Sequence, residues 1–159
     1  MRGAQAPRCI VALALAALAG CTSASATQGI PHRLTVNEII SGKGTDDSSQ
    51  FEVTGRLYPV ALRSVFLTDA AFELPEGERV PPPDECVQVA TTEAQSRAIK
   101  RYEGQIVTLV GSIVRVPVAS DRIVVTVTLE GKQPLLLNCQ YPFDGGVVPI
   151  IDLESWKRP

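Results

Sequence analysis

The chain has 159 residues, 45% of them hydrophobic and 20% charged, with a formal net charge of −2. That length is about one domain, and the composition excludes both a disordered tail and a polytopic membrane protein. The acidic balance argues against a nucleic-acid partner, because phosphate binding is carried by a basic surface.

Residues 1–8 (MRGAQAPR) carry two arginines and no acid, and Cys9 to Gly20 (CIVALALAALAG) is an uncharged apolar run. A lasting transmembrane helix needs about twenty residues, so this run has the size and flanks of a signal-peptide core. Arg2 and Arg8 fall inside the leader and none of the 17 acids does, so its removal moves the charge to about −4. The run ends in Leu18-Ala19-Gly20-Cys21, which resembles the lipobox of bacterial lipoproteins. The resemblance implies cleavage before Cys21 and a diacylglycerol on its sulfur. Each buried methylene contributes roughly 0.8 kcal/mol, and stable anchoring takes more than one chain. An acylated cysteine meets that condition without a membrane-binding surface on the domain. Thr22 to Gln28 (TSASATQ) is small, polar and uncharged and reads as a tether. Thr22 after the cysteine, rather than Asp, implies the outer membrane by analogy with lipoprotein sorting, with the domain facing the periplasm. The expected organisation is a leader over 1–20, a tether over 21–33 and one domain over 34–159.

Two of the four cysteines, Cys86 and Cys139, remain after the leader and the anchor. An even pair in an oxidising space reads as a structural disulfide, with two buried thiols as the alternative. The bridge would close a loop of about 54 residues, worth roughly 4 kcal/mol on the chain-entropy view. There is no C-x-x-C, and one pair without histidines is too few for zinc.

Along the rest of the chain, Thr35-Val36-Asn37-Glu38 has capping-box spacing and predicts a short helix ending at Ser41-Gly42. Gln50 to Val60 alternates, with Phe51, Val53, Gly55 and Leu57 on one face and Glu52, Thr54, Arg56 and Tyr58 on the other. Gly55 in its middle predicts a bend or bulge. Ser64 to Ala70 is a second strand, Leu74 to Glu85 a long loop holding Pro81-Pro82-Pro83, and Cys86 to Ala90 a third strand. A helix follows, capped by Thr91 or Thr92, with Ala94, Ala98, Ile99 and Tyr102 as its apolar stripe and Gly104 as its stop. Gln105 to Val116 is a long strand centred on Gly111, and Arg122 to Leu129 is expected to pair back on it as a hairpin. Leu135 to Cys139 forms a further strand. Val147 to Leu153 is read as an edge strand, since Pro149 has no N–H to give a sheet interior.

The order strand, strand, strand, helix, strand, strand is that of the OB-fold, a partly open five-stranded Greek-key barrel. Tyr102 to Gly111 (YEGQIVTLVG) resembles the helix end and fourth strand of OB-fold domains, and Gln50 to Gly55 echoes it as a first strand. The resemblance covers Gln50 to Leu129 and implies a mainly β, five- to six-stranded OB-fold-like barrel with one helix. A constant offset of 56 aligns Phe51, Val53, Gly55 and Leu57 with Val107, Leu109, Gly111 and Ile113. A duplicated helix–strand unit is therefore the alternative architecture.

The chain carries no Walker loop, no G-x-S-x-G and no HExxH. Its single histidine, His32, falls at the end of the tether, where it cannot be held as a triad base. Asp46-Asp47 lacks the following ligands of a calcium loop. No cofactor and no metal are expected. Glu73, Glu76, Glu78, Asp84 and Glu85 crowd the Pro-rich loop, and paired carboxylates there would give the alternative reading, an envelope glycan hydrolase. A nucleic-acid-binding OB-fold would need stacking aromatics in a basic groove, and aromatics are only 5%. Tyr58 and Phe66 are the aromatics on its candidate binding strands. The expected function is a non-catalytic, lipid-anchored envelope module that contacts a protein or glycan through loops at one barrel end. Pro81, Pro82 and Pro83 form one candidate contact loop, and Tyr141 and Phe143 a second. Trp156 is expected to seal the core.

Overall fold

The computed structural model describes residues 31–42, 50–60, 64–118, 125–139 and 146–158. The leader, the lipobox residues Leu18, Ala19, Gly20 and Cys21, most of the tether, and Tyr141 and Phe143 lie outside the described residues.

The elements follow the order β1 (His32–Leu34), α1 (Val36–Ile40), β2 (Phe51–Val60), β3 (Ser64–Thr68), β4 (Cys86–Ala90) and α2 (Glu93–Ile99). A single 3-10 turn then leads to β5 (Ile106–Pro117), β6 (Thr126–Val127), β7 (Leu135–Leu136) and β8 (Val147–Lys157). Strands β2, β3, β4, β8 and β5 pair in that order, and β5 pairs back on β2 to close a five-stranded barrel. The β4–β8 pair is parallel and the other four are antiparallel. With α2 between the third and fourth barrel strands, this is an OB-fold-like barrel. Closure leaves no free edge between its first and last strands, which an open sheet would expose. β1 adds a sixth strand, parallel to the start of β2.

Alternation builds the interior. Phe51, Val53 and Leu57 of β2 meet Val65 and Leu67 of β3, Val87 and Val89 of β4, Val107 and Leu109 of β5, and Ile151 and Leu153 of β8. The two helices supply Val36, Ile39 and Ile99 to the same core, and Trp156 packs against it half-buried. Both helices begin in capping boxes. Thr35 accepts from Glu38 N at 3.1 Å while Glu38 Oε2 accepts from Thr35 N at 2.8 Å. Thr92, rather than Thr91, caps α2 through Gln95 in the same way. Such a cap is worth about 1 kcal/mol. The buried face of α2 is Ser96 and Ile99, and Ala94, read as part of the apolar stripe, is exposed. Gln95 explains the rotation: its amide also donates to the Leu153 and Glu154 carbonyls, which turns that face toward β8.

Both strand glycines are required by close approach. A Cβ on Gly55 would lie 2.3 Å from the Thr68 carbonyl oxygen, and one on Gly111 would lie 2.2 Å from that of Asp152. At Gly111 the β5–β8 register also slips by a bulge. The two glycine-centred strands are neighbours, with Val53 opposite Leu109.

Four sequence expectations are corrected. The described part of Arg122 to Leu129, residues 125–129, does not pair back on β5: within it, β6 pairs with β7 in a separate two-stranded sheet outside the barrel. Its half-buried Val125, Val127 and Leu129 lie against the outside of the barrel, in a second cluster. The fifth barrel strand is β8, so the barrel runs to Lys157 rather than ending near Leu129. β8 is no edge: it lies between β4 and β5, with Ile151 and Leu153 in the main core and Val148 and Ile150 in the second cluster. Pro149 is tolerated because it pairs with Arg115 of β5 one residue ahead of Ile150, the first residue paired with β4. It therefore precedes the stretch that is hydrogen-bonded on both sides. Finally, His32 and Arg33, read as the end of the tether, form β1 through their register with Phe51 and Glu52.

Candidate functional site

The barrel has two contrasting outer surfaces. On β3 and β4 every residue is buried. Tyr58 and Phe66 point away from the main core and pack with Cys86 and Cys139 in a third cluster, joined by Phe72 and Leu74. Cys86 and Cys139 form a disulfide with Cα atoms 5.5 Å apart, inside the range such a bridge requires. It ties the end of the β6–β7 excursion to the first residue of β4. Gln88, fully buried on the same outward side, donates to the Leu136 carbonyl at 2.5 Å and accepts from Asn138 N at 3.1 Å. Gln133 N donates to the Thr91 carbonyl at 2.9 Å. Lys132 Nζ lies 2.9 Å from Asp152 Oδ1, an ion pair by distance though not aligned as a hydrogen bond.

The Pro-rich loop begins on this surface. Tyr58 and Phe72 meet edge to face with ring centroids 6.3 Å apart, and the Tyr58 hydroxyl accepts from Leu74 N at 3.2 Å. Of the candidate contact prolines, Pro81 is buried while Pro82 and Pro83 are exposed. Glu73, Glu76, Glu78, Asp84 and Glu85 are all exposed. The stacking surface that an OB-fold offers to nucleic acid on its second and third strands, here β3 and β4, is occupied by the chain itself, since every residue of both is buried, Phe66 fully, and Tyr58 of the neighbouring β2 is nearly so.

The opposite surface is open and polar. A cleft of about 390 Å³ crosses β1, β2, β5 and the end of β8, lined by Arg33, Leu34, Thr35, Glu52, Thr54, Thr108, Lys157 and Arg158. Strand register assembles it. Arg33 stands beside Glu52 in the β1–β2 pair, Thr54 beside Thr108 in the β2–β5 pair, and Thr108 beside Lys157 in the β5–β8 pair. Lys157 Nζ donates to Glu52 Oε1 at 2.6 Å, and Arg33 Nε lies 3.7 Å from Glu52 Oε2. The lysine hydrogen bond holds the Glu52 carboxyl below the usual glutamate value; partial burial opposes this, and the Lys157 and Arg33 charges add to the lowering. The Thr54 and Thr108 hydroxyls are 2.8 Å apart. That contact consumes one O–H and leaves the second as a free donor. Next to the cleft, the guanidiniums of Arg101 and Arg158 lie 5.0 and 5.2 Å from the centroid of the Tyr102 ring.

Sequence reasoning did not single out this cleft. Alternation placed Glu52 and Thr54 on the outward side of β2, but Lys157 and Arg158 reach them only through the full length of β8. Among the described residues no group of three or more His, Cys, Asp or Glu could hold a metal ion, and no helix is long and apolar enough to cross a membrane. Comparison with family models, curated proteins and solved structures returns no match.

Proposed function

We propose that the chain is a lipid-anchored, periplasm-facing module of the bacterial cell envelope, held by acyl chains on Cys21 and acting by binding rather than catalysis. The observation that carries this reading is Leu18-Ala19-Gly20-Cys21 directly after a short apolar run and a basic start. Two features support it. The Cys86–Cys139 bridge suits an oxidising compartment. The carboxylates that a glycan hydrolase would use stand exposed on a loop rather than enclosed in a cleft. The exposed Pro82 and Pro83 offer a protein or glycan partner a contact with little conformational entropy to lose.

Metabolic labelling with radioactive palmitate tests the anchor. The wild-type chain takes up label and fractionates with membranes. Cys21→Ser takes up none and is recovered either as a soluble protein or as an uncut precursor. An unlabelled wild-type chain, or a Cys21→Ser chain that still takes up label or still pellets as a processed product after a high-salt wash, overturns the proposal.

A further inference from the structure

The geometry points to the β1–β2–β5–β8 cleft as a receptor for the anionic headgroup of a phospholipid in the membrane that holds the anchor. Charge is the first argument. The chain after its leader is acidic overall, yet the cleft gathers Arg33, Lys157 and Arg158 around one carboxylate, Glu52. Glu52 engages two of these cations, and the lining keeps a surplus of two positive charges. The guanidiniums of Arg101 and Arg158 stand 5.0 and 5.2 Å from the centroid of the same Tyr102 ring, so no more than about one Debye length separates them. An anion held in the cleft beside Arg158 relieves their repulsion. The free O–H of the Thr54–Thr108 pair supplies a neutral donor on the cleft floor. Arg33 is 89% exposed along its side chain and Lys157 58%, so both can swing onto a phosphate.

Position is the second argument, and it rests on the anchoring proposed above. Ten residue steps separate Cys21 from Pro31, where the described chain enters β1. Fully extended they span at most about 35 Å. The first cleft residue, Arg33, follows two positions later. The open surface is therefore the part of the barrel tied shortest to the bilayer, and a tether of this length raises the local headgroup concentration to the millimolar range or above. A weak site is then enough to orient the barrel, with the exposed Pro82 and Pro83 free for other contacts.

The test uses the Cys21→Ser chain exported behind an ordinary, non-lipoprotein secretion leader that is cleaved off, so that neither lipid attachment nor a retained leader plays a part in the readout. It is mixed with vesicles of phosphatidylcholine alone or with one-third phosphatidylglycerol, at low salt, and sedimented. Binding to the phosphatidylglycerol vesicles only, weakened by added salt, is the expected result. Arg33→Gln, Lys157→Gln and Arg158→Gln each lower the partition by about fivefold, and Glu52→Gln raises it by about fivefold. Thermal melts of each variant show that the barrel is intact. Equal partition to the two vesicle types overturns the proposal, as does a triple glutamine variant that binds like the parent. Inorganic phosphate that shifts the Thr54 and Thr108 amide signals of a chain that ignores both vesicle types also overturns it, by assigning the cleft to a small soluble oxyanion. Failure here leaves the palmitate result standing, and failure of palmitate labelling leaves the vesicle result standing.

Discussion

The two outer surfaces of this barrel solve opposite problems with the same alternating strands. On β3 and β4 the outward positions are Phe66, Cys86, Gln88 and Ala90, and they are buried beneath the Pro-rich loop and the β6–β7 excursion. On β1, β2, β5 and the end of β8 the outward positions include Arg33, Glu52, Thr54, Thr108 and Lys157, and they line an open cleft. The difference teaches where a small barrel keeps its binding capacity. The surface that OB-folds commonly use for ligands serves here as a second layer of core, and the ionisable groups collect on the other side.

Breaking the covered surface has the largest expected effect. Replacing Cys86 and Cys139 together by Ala removes a cross-link over a sequence separation of 53 residues and costs roughly 4 kcal/mol on the chain-entropy view, read as a lower urea midpoint. Dithiothreitol gives the same shift in the wild-type chain and none in the variant. Gln88→Leu comes next. It preserves apolar burial but leaves the Leu136 carbonyl and Asn138 N without their partner, at a cost of about 1–3 kcal/mol. Amide exchange quickens first over 135–139, because this clamp holds that segment to β4. A variant with unchanged exchange there would show that the disulfide alone seals the surface.

The open surface gives the smallest effect and a pH signature. Glu52 binds its proton more weakly in the folded chain than in the unfolded one. Its contribution is therefore fully present above the ordinary glutamate value of 4.5 and is lost as the pH falls through the depressed folded value. Wild type and Glu52→Gln should differ in melting temperature at neutral pH and converge in acid, with the gap narrowing in high salt, as for any exposed pair.

Most of the barrel was legible because its signals are local. The capping box at Thr35 and the alternation through Phe51, Val53 and Leu57 each report a short-range requirement, and the glycines at 55 and 111 marked irregular points in their strands without showing that Thr68 and Asp152 are the neighbours that demand them. The closing strand was not, for two reasons. Arg122 to Leu129 alternates as well as any barrel strand, and only the covering of an outer face explains where its valines go. Pro149 argued for an edge, while the pairs Val147-Val148 and Ile150-Ile151 are apolar at consecutive positions, as expected of a strand buried on both sides. Weighing those pairs above the proline would have recovered the topology. The cleft was illegible for the same cause: its Lys157 and Thr108 are 49 residues apart in sequence and meet only through the register of β8.

The insertion of β8 between β4 and β5 has a consequence for biogenesis. The ring is completed by β8, the most C-terminal of its described strands, through one parallel and one antiparallel pairing of long sequence separation. Such non-local closure is slow. Until it happens, β4 and β5 present raw hydrogen-bonding edges that invite pairing with other chains. A stop codon before Val147 should thus yield aggregates or proteolytic fragments rather than a smaller stable product, because β4 and β5 then keep those edges unpaired.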